Sequence, residues 1–198
     1  MMFSHESSIV LASGSRYRRA LLDQIGLNYV ACPADIAEDA HRGEAPMATA
    51  SRLAAEKARV VALRYPGALV IGSDQVGSLD GRTAFSKPGD HNEAVEQLTR
   101  MSGRTVHFHT AVCIFNARTC TERGALVSTE VHFRTLTARV IEAYLKRDQP
   151  YDCAGSAKIE SLGIALVERV TSDDPTALLG LPLIALIDLL AAEGVSVV

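Results

Sequence analysis

Ile9-Val10-Leu11-Ala12-Ser13-Gly14-Ser15-Arg16-Tyr17-Arg18-Arg19-Ala20-Leu21-Leu22 decides the fold. The apolar run Ile9 to Ala12 reads as a short buried strand. Ala20-Leu21-Leu22 with Ile25 reads as the inward edge of an amphipathic helix. Between them lie two serines, a glycine and arginines. A strand that turns through small residues into a helix offers backbone N–H groups and hydroxyls at a positive helix end, which suits phosphate. Arg18 and Arg19 add planar forks that match phosphate oxygens. The spacing is neither a P-loop nor a GxGxxG turn. It serves a phosphate site and a loop of solvated arginines equally well.

The whole chain of 198 residues is consistent with one α/β unit. It is 47% hydrophobic and 22% charged, which is ordinary for a globular chain. A net charge of −3 and a pI near 6.1 give no support for a general nucleic-acid binder, so any affinity for polyphosphate has to be local. Cys32, Cys113, Cys120 and Cys153 form no CxxC pair, which favours reduced thiols and a cytoplasmic setting. Met1 to Glu6 lack the regions of a signal peptide, and the most apolar segment, 178–192, is too short to span a bilayer.

Further along, Tyr29 to Cys32 reads as a second strand, and Pro46 opens a helix that runs to about Arg64. Leu53, Lys57 and Val61 are spaced i, i+4, i+8, so Lys57 falls on the stripe that faces inward. There it has to snorkel out or meet an anion. Ala68 to Gly72 reads as a buried strand with Asp74 just past its end, a place for a catalytic or metal-binding acid or for a turn residue. Asp90-x-x-Glu93 starts a helix that turns Ala94, Leu98 and Met101 inward.

Thr105–Phe115 and Ala125–Phe133 alternate as paired strands. His107, His109 and His132 fall on one face, where they suit either a zinc ion or plain exposed positions, with no fourth ligand in view. Thr137 begins a helix with Val140, Ile141, Tyr144 and Leu145 as its apolar edge. A strand over Ile164–Val170 follows, and a closing helix runs from near Pro182 to Gly194.

Leu11-Ala12-Ser13-Gly14-Ser15 with Arg18-Arg19, Arg52-Leu53-Ala54-Ala55-Glu56-Lys57-Ala58, Gly72-Ser73-Asp74-Gln75-Val76 and Lys87-Pro88 resemble the Maf family. So do Tyr151-Asp152-Cys153-Ala154-Gly155-Ser156, Lys158, Glu160 and Gly180-Leu181-Pro182-Leu183. The family's members are nucleoside triphosphate pyrophosphatases that cut between the α- and β-phosphates. Ser-Asp-Gln at 73–75 and Cys-Ala-Gly-Ser at 153–156 resemble the branch that acts on 7-methyl-GTP rather than the one that acts on dTTP and UTP.

The resemblance implies a Maf/ITPase-like α/β fold, a mixed twisted sheet flanked by helices, with a cleft between two lobes. The hairpin over Thr105–Phe133 with the helix after it is expected to form a smaller lobe, around residues 105–147, of a single domain. It implies Asp74 as the catalytic acid, with Glu38 and Asp74 holding a divalent metal, Mg²⁺ or Mn²⁺. Ser13, Ser15, Arg18, Arg19, Lys57 and Lys87 match its phosphate-binding positions, and Tyr17, Gln75 and Glu160 match its base-specificity positions. A homodimer is implied too, with no membrane or nucleic-acid partner. Two positions depart from the pattern: Arg16 stands where proline is usual, and Ile159 where serine is usual.

Overall fold

A computed structural model describes residues 8–151 and 153–198. The N-terminal stretch Met1 to Glu6, and Asp152 of the Tyr151–Ser156 motif, lie outside the described residues.

The opening strand β1 (Ile9–Leu11) is fully buried and turns at Ser15 into α1 (Arg16–Gln24). The Ser15 hydroxyl accepts from the Arg18 N–H at 3.4 Å and caps that helix. A short strand β2 (Val30–Ala31) is followed by α2 (Pro46–Ala62), whose proline sits in the first turn, where no N–H is needed. Then come β3 (Leu69–Ser78), α3 (His91–Met101), β4 (Thr105–Asn116), β5 (Thr121–Phe133), α4 (Ala138–Asp148), β6 (Val167–Thr171) and α5 (Leu183–Ala192). Asp90 and Thr137 cap α3 and α4 through their side chains. No helix among the described residues is long and apolar enough to cross a membrane.

The six strands form one mixed sheet in the order β2-β1-β3-β4-β5-β6. β1 pairs in parallel with β2 and β3, and every pairing from β3 to β6 is antiparallel. The α/β class and the mixed sheet flanked by helices are therefore as the resemblance implies.

Side chains alternate across the sheet. On one side, Ala111 and Cys113 of β4 pack with Ala50, Ala54, Ala58 and Val61 of α2. On the other, Val112 and Ile114 pack with Leu21 and Leu22 of α1 and with Leu186 and Leu190 of α5. A third cluster holds Val106, Phe108, Val131 and Phe133 against Leu98 and Met101 of α3 and Ile141, Tyr144 and Leu145 of α4. The long strands β4 and β5 thus reach from the first two clusters into the third.

Three local expectations need correction. β3 does not stop before Asp74. Antiparallel pairing with β4 carries it on to Ser78, so Asp74 lies within the strand opposite Ala111, although it stands beyond the end of the shorter neighbour β1. Residues 162–166 form a 3₁₀ helix rather than the start of a strand, and β6 begins only at Val167. Val140 is exposed at 38%, since the inward arc of α4 is covered by Ile141, Tyr144 and Leu145 alone.

Candidate active site

A cleft of about 1120 Å³ opens where β1 ends and β3 continues. Its walls are the 12–18 turn, parts of 33–40, the inward face of α2, Asp74 to Val76, the 84–87 loop, residues 153–160 and the 178–180 turn.

At its floor α2 lies hard against β3. A Cβ on Gly72 would stand 2.0 Å from the Ala54 carbonyl oxygen, so only glycine lets the small-residue stripe Ala50-Ala54-Ala58 approach so closely. That approach brings Lys57, only 6% exposed, onto Asp74, 7% exposed, with Nζ donating to Oδ1 at 2.6 Å. Glu38 Oε1 lies at 2.6 Å from the same Nζ, and Lys87 Nζ stands 4.0 Å from Glu38 Oε2. The inward lysine thus meets its anions.

The two carboxylates are driven apart in acidity. Burial raises the Asp74 carboxyl above its ordinary range, against the opposing charges of Lys57 and Arg18. Burial also acts on Glu38, but its hydrogen bond with Lys57 and the charges of Lys57, Lys87 and Arg18 outweigh it and leave that carboxyl lowered. Such a split marks one acid suited to exchanging a proton and one that stays ionised.

Arg18 donates from Nε to the Gly180 carbonyl at 2.7 Å and from Nη1 to Ser13 Oγ at 3.3 Å. Burial lowers its pKa, while Asp74 and Glu38 support its charge. Gly180 has φ +98°, and a Cβ there would press on the Arg18 side chain at 3.4 Å. Ser73 Oγ donates to the same Gly180 carbonyl at 2.8 Å, which ties the 178–180 turn to β3. Gln75 Nε2 donates to Thr110 Oγ1 and to the Ala177 and Leu178 carbonyls at 2.9–3.1 Å. Strand alternation explains the division: Asp74 turns towards α2, whereas Ser73 and Gln75 turn towards the 177–180 segment.

At the other end, Tyr17 and Glu160 come together. The phenol is raised in pKa by burial first, with the Arg16 guanidinium opposing and the Glu160 carboxylate adding to the rise. Arg16 Nη2 donates to Tyr17 Oη at 2.6 Å. Ile159 joins the apolar cluster of α3 and α4 while also lining the cleft.

Of the residues singled out from sequence, Ser13, Ser15, Tyr17, Arg18, Glu38, Lys57, Asp74, Gln75, Lys87 and Glu160 all line the cleft. Arg19 does not. Consecutive residues on a helix point about 100° apart, so when Arg18 turns inward Arg19 turns out. It is exposed, and its carbonyl accepts from the Tyr29 hydroxyl.

The three-histidine zinc site is not formed either. His107 and His109 stack with ring centroids 6.4 Å apart, while His132 Nδ1 bonds Thr105 Oγ1. Among the described residues no group of three or more His, Cys, Asp or Glu side chains is placed to hold a metal ion.

Three supports have no role in the sequence reading. Gln97 links the cleft's loops: Nε2 donates to the Ser86 carbonyl at 3.1 Å, and Oε1 accepts from Ser156 Oγ at 2.7 Å. Asp174, 2% exposed, accepts from the Ile184 N–H at 2.7 Å and from Thr176, which caps α5 from a distance. Arg52 grips Glu44 with two 2.7 Å bonds and donates to the Asp39 carbonyl at 3.0 Å, which holds the segment that carries Glu38. An acid spaced eight residues before an arginine at a helix start was the available signal for that last anchor.

A mixed α/β sheet with a charged cleft at the β1–α1 turn defines a class, and the chain belongs to the Maf family. The family model described as Maf-like protein matches residues 8–193. The relatives are more particular. The 7-methyl-GTP pyrophosphatase of Methylobacillus flagellatus is 52% identical over 96% of this chain and 98% of its own length. Those of Cupriavidus pinatubonensis and Thiobacillus denitrificans are each 53% identical, over 94% and 96% of this chain and 93% and 94% of their own. Among solved structures, the Staphylococcus aureus Ham1 protein aligns with a TM-score of 0.42 at 13% identity, over 65% of this chain and 73% of that one.

Proposed function

We propose that this chain hydrolyses 7-methyl-GTP to 7-methyl-GMP and diphosphate. One observation carries the chemistry: the buried Lys57 held between Asp74 and Glu38 at the floor of a cleft also lined by Arg18 and Lys87. The substrate assignment rests on the relatives' names.

In this reading Arg18, Lys57 and Lys87 bind the triphosphate, with the Ser13 and Ser15 hydroxyls hydrogen-bonding phosphate oxygens. Asp74 accepts a proton from a water molecule as its oxygen attacks the α-phosphorus. The bond to the oxygen bridging to the β-phosphate breaks, and diphosphate leaves. Positioning and charge neutralisation suffice for this transfer, and no covalent intermediate is needed.

Asp74 and Glu38 both reach the Lys57 ammonium at 2.6 Å, so their carboxylates are neighbours, and two carboxylates without a full protein cage fit an ion that keeps waters and phosphate oxygens as its other ligands. Mg²⁺ or Mn²⁺ bound by these two carboxylates would supply positive charge against the triphosphate. At the far end Tyr17 stacks on the base and Glu160 accepts from the N–H groups of guanine's Watson–Crick edge. Gln75 shapes that end by holding the turn that bears Leu178. The reading includes a single-domain homodimer in the cytoplasm, without nucleic-acid or membrane partners.

The test is a nucleotide panel with Mg²⁺ or Mn²⁺ and chromatographic identification of products. Conversion of 7-methyl-GTP to 7-methyl-GMP and diphosphate is expected. Orthophosphate with 7-methyl-GDP overturns the site of cleavage. Faster use of dTTP or UTP moves the chain to the pyrimidine branch, and binding without turnover makes it a nucleotide-binding regulator, for example of cell division.

A further inference from the structure

Arg16 is the first residue of α1, where a cation gains nothing from the helix dipole. Its guanidinium carbon stands over the Tyr17 ring, 4.7 Å from the centroid, and Nη2 bonds the phenolic oxygen at 2.6 Å. Both residues line the cleft, and Glu160 lies against the same phenol. Arg16 therefore belongs to the end of the cleft away from the Lys57 cluster, whereas its neighbour Arg18 is turned to Gly180 and Ser13.

A flat cation on an aromatic face occupies the place where a flat base stacks. Guanine methylated at N7 is itself a flat cation. It competes for the same electron-rich face and is repelled by the guanidinium. Unmethylated guanine has no such charge, and its N7 and O6 form the acceptor pair that a guanidinium fork matches. Methylation removes that pair.

We propose that Arg16 is a specificity-determining residue that weakens the cleft's preference for 7-methylguanine over guanine by holding a positive charge on the face of Tyr17. The proposal rests on the reading of Tyr17 and Glu160 as the base end of the cleft.

The test compares affinities of the α,β-methylene analogues of 7-methyl-GTP and GTP by calorimetry in wild type, Arg16→Gln and Arg16→Lys. In Arg16→Gln the preference for the methylated analogue is expected to rise about three- to fivefold, the value of a cation–π contact at an exposed site. Arg16→Lys, which keeps the charge and loses the fork, is expected to stay below Arg16→Gln. An unchanged or lower preference in Arg16→Gln overturns the proposal. Equal weakening of both analogues also overturns it, because that pattern assigns Arg16 to phosphate. If the wild type binds neither analogue, the base-end reading falls and the proposal with it. If it binds both and only the ratio fails to move, the role of Arg16 alone falls.

Discussion

The two ends of the cleft are built differently. At the Lys57 end the charged groups come from regular elements, α2 and β3, and from a segment pinned by Arg52. Lys57 and Asp74 are nearly out of reach of water there. At the Tyr17 end the groups are Arg16 and Tyr17 on the first turn of α1 and Glu160 on an irregular segment, and both Arg16 and Glu160 are exposed. Charges desolvated on rigid elements act strongly and change little, which suits bond-breaking. Exposed groups on element ends and loops act weakly and are easily exchanged, which suits selection among substrates. Substitutions at the first end should thus cost rate, and those at the second should cost discrimination.

The sharpest test of that division is Asp74→Asn. The change is nearly isosteric and leaves Arg18, Lys57 and Lys87 in place, so analogue binding should stay measurable while turnover falls about 10²–10⁴-fold, as for loss of a general base. Single-turnover kinetics beside calorimetry separates the two effects. Wild-type turnover with saturating metal breaks the comparison at its stronger end.

Glu160→Gln probes the other end. It removes a carboxylate acceptor at an exposed position, so thermal stability should hold. Selectivity for 7-methyl-GTP over pyrimidine triphosphates should weaken by about 1.5–3 kcal/mol, the value of one charge-assisted hydrogen bond. The measurement is kcat/KM across the panel. Unchanged discrimination removes Glu160 from base reading, and an equal loss on every nucleotide places it with the phosphates.

The same contrast governs how much could be read from sequence. The i, i+4, i+8 spacing of Leu53, Lys57 and Val61 already put the lysine on a buried stripe, because helical periodicity is a local property. Its partners were less legible. Sequence alone places Asp74 past a strand end, since the pairing with β4 that extends β3 is non-local. Sequence alone presents Arg18 and Arg19 as a pair, although the step of about 100° between neighbours on a helix divides them between cleft and solvent. The three histidines share a face, but both His132 ring nitrogens are engaged by Thr105 and Arg169 and His109 Nδ1 bonds Ser128, ties that only the folded sheet shows. Gln97 and Asp174 act through partners 59 and 10 residues away, and no local pattern marks such ties. At the base end the residues themselves carried little signal, and Tyr17 and Glu160 stood out only through the family resemblance.

The smallest expected effect tests the anchor rather than the chemistry. Glu44 is held by the fork of Arg52, which pulls its carboxyl from 4.5 down to about 2 against the effect of burial, with the His41 N–H and Thr49 hydroxyl also donating to it. A carboxyl depressed on folding contributes stability that is fully present above its unfolded value, near 4.5, and is lost as pH falls from there through about 2. The melting temperature of the wild type should therefore fall more steeply between pH 5 and 2 than that of Glu44→Gln, whose amide does not titrate, and the gap between them should close at the acid end. Parallel slopes in thermal melts would mean that the Arg52–Glu44 pair does not persist in solution. The Glu38 segment would then be tied to α2 only through the Asp39 carbonyl and Lys57, and the Lys57 end of the cleft would be less rigid than its partner contacts imply.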